Sequence, residues 1–142
     1  MKNFFVFAIL VGAMGILFQP LAFGQDYQIH HTILILKPIP HTLQQGDHLT
    51  FSGTLLTLDN ITPLANMTIF IQHDSPYAAT WTLATTTTDK NGNFTVDWTV
   101  KPKGSSSCTY NIFAKFYGDD NNLWSVSKQF GLYVTTNSVK NG

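Results

Sequence analysis

The chain has 142 residues, with eight lysines, eight aspartates and five histidines, and contains neither arginine nor glutamate. That length holds one ordinary domain, and a balanced charge without Arg gives neither the basic footprint that nucleic acid requires nor the bidentate fork that reads phosphate. Paired-carboxylate catalysis would rest on Asp alone, and the single cysteine, Cys108, excludes an intrachain disulfide.

Lys2 is followed by an unbroken apolar and Gly run from Phe4 to Phe18, then Pro20 and the small-x-small sequence Ala22-Phe23-Gly24. These three regions predict a signal peptide over 1–24, cleaved before Gln25, and a mature domain over 25–142 with its core at about 28–135. The alternative is an uncleaved anchor, with the run stretched to Phe23 across Gln19 and Pro20, and only then does the chain hold to a membrane. Both readings put the remainder outside the cell, secreted or on the extracellular side of the envelope.

Beyond Gln25 the pattern is period-two alternation with turn residues between the runs, and no segment carries a helical stripe. Ile29 to Leu36 reads as the first strand, closed by Lys37-Pro38-Ile39-Pro40. Leu49, Phe51, Gly53 and Leu55 alternate with Thr50, Ser52 and Thr54, so the second strand has one buried and one wet face. Met67, Ile69 and Ile71 mark the third, ended by His73-Asp74-Ser75-Pro76, and Trp81 to Thr88 the fourth, rich in β-branched Thr. Phe94, Val96, Trp98 and Val100 form the clearest stripe. Tyr110, Ile112, Ala114 and Phe116 follow after the loop Lys101 to Ser107, and Phe130, Leu132 and Val134 point inward from a last strand over about Val126 to Val134. Seven such strands predict an all-β, antiparallel sandwich, with a closed barrel as the alternative that alternation does not exclude.

Four pieces stand in a definite order: "GDHLTFSGTL" from Gly46, "PLANMTIFI" from Pro63, "TDKNGNFTVDW" from Thr88 and "YNIFAKFYGD" from Tyr110. Together, over about residues 44 to 134, they resemble the immunoglobulin-like repeat domains of prokaryotic surface proteins. The departure is Asp59-Asn60-Ile61-Thr62, where those repeats carry a Gly-containing turn. The resemblance implies extracellular binding, adhesion or spacing without catalysis. Within it, Gly53 is expected to permit a bulge or the close approach of the opposite sheet, Trp98 to fill the core, and Tyr110 to bond a backbone carbonyl as a tyrosine corner does.

The acidic-looking loop in "TDKNGNFTVDW" reads as a turn, since a calcium loop of the EF-hand type needs Gly sixth and a distant Glu. Asp89 at the first position and Gly92 in the left-handed conformation suit a three-residue hairpin loop, with a tighter Asn91-Gly92 turn as the rival. A weak calcium candidate is the set Asp119, Asp120 and Asn122, against which stands the ordinary use of Asp and Asn to cap their own turns. No His or Met follows Cys108, which removes the blue-copper arrangement, and His30 and His31 face opposite ways on a strand. No other metal and no cofactor is expected. Gly-x-Ser-x-Gly and His-Glu-x-x-His are both missing from the sequence, which argues against an enzyme. Asn60, Asn66 and Asn93 each open an Asn-x-Thr glycan acceptor site. Aromatic residues beside polar turns, Tyr77, Trp81, Tyr117 and Trp124, are the expected contacts with a protein or glycan partner. A small secreted ligand carrier or metal-binding protein remains the competing function.

Overall fold

The computed structural model describes residues 28–77 and 80–137, so the expected signal peptide lies outside the described residues. Nine strands run through these: β1 (Thr32–Leu36), β2 (Thr42–Gln44), β3 (His48–Thr57), β4 (Thr68–Asp74), β5 (Thr80–Thr87), β6 (Asn93–Thr99), β7 (Cys108–Phe116), β8 (Ser125–Val126) and β9 (Phe130–Thr135). They form two sheets, β1-β3-β6 and β2-β9-β7-β4-β5, with β8 beside β7. The chain is therefore an all-β, immunoglobulin-like sandwich rather than a closed barrel.

Alternation in the sequence is what closes the two layers on each other. Leu49, Phe51, Leu55 and Phe94 from the smaller sheet meet Ile69, Ile71, Ile112, Ala114, Leu132 and Val134 from the larger in one core. Phe51, Ile69, Ile71 and Leu132 are completely buried, and each such side chain contributes roughly 1.5–3 kcal/mol of transfer free energy. The outer face of the smaller sheet is polar over β3 and β6, as their Thr and Ser positions require, whereas β1 exposes Ile33 and Ile35 on that face. There Thr50 Oγ1 donates to Asp97 Oδ1 at 2.6 Å and Thr54 Oγ1 to Asn93 Oδ1 at 2.7 Å.

Two elements differ from the sequence reading. β2 pairs parallel with β9, Thr42 opposite Tyr133 and Gln44 opposite Thr135, so the larger sheet is mixed rather than wholly antiparallel. Three residues are too few to show a period, and β2 sits between the prolines and the Gly46 turn. The expected last strand is also interrupted. Ser127 N donates to Ala114 O at 3.0 Å, while Ser127 Oγ accepts from Ala114 N at 2.8 Å, so in the gap that separates β8 from β9 a side chain stands in for one rung to β7.

The turn after β5 has the expected loop but not the expected ladder. Gly92 N donates to Asp89 O at 2.9 Å and Asp89 N to Asn93 O at 2.8 Å, and Gly92 takes φ +77°. Asp89 Oδ1 accepts from the backbone N–H groups of Asn91 and Asn93 at 2.8 and 2.9 Å. Asn91 is not among the residues at positive φ, which rules out the tighter Asn91-Gly92 turn. However, β5 joins β4 and β6 joins β3, so the loop is a corner between sheets. Each arm is drawn to a different layer. Thr88 Oγ1 donates to Leu64 O at 2.6 Å and accepts from Met67 N at 2.9 Å, whereas Gly92 O accepts from Leu55 N at 2.8 Å.

Gly53 also departs in detail. A Cβ there would lie 1.9 Å from Ile35 O and 2.6 Å from Phe94 Cζ, so the close approach comes from neighbours within its own sheet. Phe94 is its direct cross-strand partner, and its ring lies across the gap the glycine leaves. Tyr110 meets its expectation: its hydroxyl donates to Lys101 O at 2.6 Å. Trp98 is half-buried and packs against the core cluster.

Candidate binding site

The four aromatic residues singled out in the sequence separate into two places. Tyr77, Tyr117 and Trp124 meet on the outer face of the larger sheet, and Trp81 lies in a cleft at one end of the sandwich.

The outer-face surface is built by β7 and the loop after β4. On β7, Phe113 and Lys115 alternate with the core residues Ile112 and Ala114 and so lie on the other side of the sheet, where Phe113 is completely covered and Lys115 half-buried. Asp74 closes β4 at φ +89°, and its carbonyl accepts from Asn111 Nδ2 at 2.9 Å. The chain then brings Pro76 O to Lys115 Nζ at 3.2 Å. Gln72, almost wholly buried, donates from Nε2 to the Tyr117 hydroxyl at 2.9 Å, and Phe70 meets the Tyr117 ring edge-on at 5.1 Å. The Lys115 ammonium lies 4.8 Å from the Tyr117 ring centre and 5.6 Å from that of Trp124. Trp124 and Tyr77 make an edge contact at 6.4 Å. The resulting concavity of about 380 Å³ is lined by Pro76, Tyr77, Lys115, Tyr117 and Trp124. Tyr77 is 78%, Tyr117 53% and Trp124 52% exposed, a large aromatic area to leave in water.

The cleft depends on an irregularity in the β4–β5 ladder. Ile71 opposes Ala84 but Gln72 opposes Thr82, which leaves Leu83 as an extra residue and sets Trp81 opposite His73. Without that extra residue Trp81 would point to the other face. As it is, the Trp81 and His73 rings stack at 5.7 Å with an 18° interplanar angle. Tyr110 meets His73 edge-on at 4.8 Å and Trp98 edge-on at 5.4 Å. His73 Nδ1 and Lys103 Nζ both contact Asp74 Oδ1, at 3.0 and 3.1 Å, and the same ammonium lies 5.2 Å from the Tyr110 ring centre. The cleft is open to solvent, with a volume of about 540 Å³. The hydrogen bond from His73, more than the Lys103 charge, holds the Asp74 carboxyl below the usual carboxylate range against the opposing effect of burial. Burial, followed by the nearby Cys108 and Asp74, pushes the Tyr110 hydroxyl up to about 12.

Asp119 and Asn122 do not aim their oxygens at a shared point. Asp119 Oδ1 accepts from Asn121 N at 2.9 Å, Asn122 N at 2.8 Å and Asn122 Nδ2 at 3.0 Å. Asn122 thus turns its nitrogen to the carboxylate, whereas two ligands of one cation would both aim oxygens at it. Asp59 is engaged elsewhere, with Oδ2 at 3.0 Å from His30 Nδ1, and that bond lowers its pKa. Among the described residues no three His, Cys, Asp or Glu side chains are grouped as a metal site. Asn60, Asn66 and Asn93 are all exposed. Asn60 Oδ1 accepts from the Thr62 hydroxyl at 2.9 Å, within its own acceptor motif. Cys108 is a half-buried free thiol that accepts from Lys103 N at 3.2 Å.

Sequence reasoning missed Lys115 on the outer face, although Lys115 and Tyr117 two residues apart share a strand face and carry a readable signal. It also missed the grouping of His73, Asp74, Trp98 and Lys103 with Trp81. Leu83 as an unopposed residue has no signature in a run of Thr and Leu, so the side on which Trp81 stands was not legible.

No protein-family model matches the sequence, and no curated protein matches it. Among solved structures the chain is similar to the β-glucosidase of Listeria innocua. In complex with isofagomine the identity is 15% and the TM-score 0.45, over 83% of this chain and 18% of that one. In complex with glucose the identity is 14% and the TM-score 0.45, over 80% and 17%. The chain therefore spans less than a fifth of the length of these structures.

Proposed function

We propose that the chain is an exported, non-catalytic, immunoglobulin-like module of the prokaryotic cell surface, which binds a protein or glycan partner in adhesion or surface structure. One observation carries this reading. Tyr77, Tyr117 and Trp124, from two separate loops, converge around Lys115 on an exposed face that core packing does not require. Tyr and Trp supply much contact area at small entropic cost, and clusters of them dominate binding hot spots. The signal-peptide pattern gives the location, and the three exposed Asn-x-Thr sites suit a glycoprotein outside the cell.

A binding rather than catalytic role is supported by what the reactive side chains do. The Cys108 sulfur and the Ser127 hydroxyl both serve backbone groups, and His73 is held by Asp74 between aromatic rings. The test is capture from the native surface fraction by the mature chain, compared with a Tyr77→Ala/Trp124→Ala double variant. Retention of one partner by the parent and its loss from the variant is the expected result. Identical capture by both would overturn the outer face as the contact.

A further inference from the structure

The cleft at the end of β4, β5 and β6 is separate from the outer-face surface and has a different chemistry. Its volume of about 540 Å³ falls within the range of roughly 300–1,000 Å³ typical of small-ligand sites. Trp81 is the open wall. His73 stacks against it, and yet the residue remains 57% exposed, so much of the indole faces solvent. Trp98 and Tyr110 continue the aromatic wall inward, while Asp74, Lys101 and Lys103 stand among the lining residues. Both contacts to the Asp74 carboxylate land on Oδ1, and a carboxylate has further acceptor capacity at its second oxygen.

We propose that this cleft binds one pyranose ring of an extracellular saccharide, with the ring's C–H face against Trp81 and its hydroxyls toward Asp74 and Lys103. This rests on the reading of the chain as a binding module and adds a second site to it. A pyranose has an apolar C–H face and a hydroxyl-bearing edge, which matches an aromatic wall bordered by a charged acceptor and donor. A wholly apolar ring would cover Asp74 and Lys103 without returning hydrogen bonds, which is unfavourable. A cationic ligand has no place to add, because the Lys103 ammonium already lies over Tyr110 and against Asp74. Two lysines against one aspartate in the lining favour a neutral or carboxylate-bearing sugar.

The test uses the mature chain with its outer face unaltered, read by tryptophan fluorescence. Chitohexaose serves as the neutral probe and hexagalacturonate as the acidic one, with calorimetry alongside. Saturable binding of either probe is expected, with affinity reduced at least tenfold by Trp81→Ala, about threefold by Lys103→Ala and less by Trp81→Phe. Circular dichroism checks that each variant is folded, and Lys103→Ala carries the test if Trp81→Ala is not. Absence of a saturable signal from both probes would overturn the proposal, as would binding that both cleft variants leave intact. Binding lost instead on Tyr77→Ala would move the saccharide to the outer face. Failure here leaves the partner-capture experiment untouched, so the two readings fall separately.

Discussion

Gly53 and Tyr110 show how single residues set the limits of this fold. A methyl group on Gly53 would enter the space of the Ile35 carbonyl and the Phe94 ring, one of which is backbone and yields little. Gly53→Ala is therefore expected to cost at least about 2 kcal/mol by overpacking, read as a lower urea midpoint at unchanged slope. Tyr110 makes a pH-dependent contribution whose sign is fixed by its environment. Its folded pKa of about 12 stands above the ordinary value of 10.0, so folding favours the protonated phenol. That stability is fully present below pH 10 and is lost as pH rises toward about 12. Tyr110→Phe should weaken the domain at neutral pH by about 1 kcal/mol through loss of the bond to Lys101 O, while removing this alkaline limb from the melting profile. Asp74 behaves in the opposite sense. Its pKa is lowered from 3.8 by His73 and Lys103, so its contribution is present above that value and disappears as pH falls below it. In thermal melts between pH 2 and 5, Asp74→Asn should flatten the acid limb.

Among the elements, β8 and β9 depend on a side chain acting as backbone. Ser127 is 7% exposed, and its hydroxyl is the acceptor for Ala114 N. Ser127→Ala leaves that N–H buried without its partner and should cost about 1–3 kcal/mol, with faster hydrogen exchange at Ala114 as the local readout. The long strands were legible because their alternation is strict. Phe51, Ile69, Ile112 and Leu132 all occupy the core expected of them. β2 was not legible, because three residues define no period and its parallel pairing is decided by β9, some ninety positions away. The corner after β5 was half legible. Asp89 and Gly92 announce the loop, but the separation of its arms follows from Thr88 holding Leu64 and Met67, a contact that no local pattern encodes. The outer-face site was readable as three aromatics in two loops, and the structure adds that the loops meet. The cleft needed the extra residue in β5, which the sequence does not mark.

At the scale of the molecule, export and binding make a shared claim about location, and cleavage before Gln25 is its direct check. Mass spectrometry of the chain recovered from the cell exterior is expected to show Gln25 at the amino terminus, and a retained apolar segment would favour the anchored alternative. The architecture has a mechanical consequence as well. The described chain enters beside the end of β7, where His30 bridges Asn122 and Ser125 opposes Phe116, and it leaves beside the start of β7, where Val134 opposes Cys108. Its two ends thus lie at opposite poles, separated by the length of a nine-residue strand, about 30 Å at 3.3 Å per residue. Tension between them runs along the strands. Such tension meets β1 and its ladder to β3 first, and only beyond β1 does it reach β2, whose parallel pairing with β9 sets the rungs between those two in shear. A pull applied between the two poles is thus shared across whole ladders before the sandwich yields.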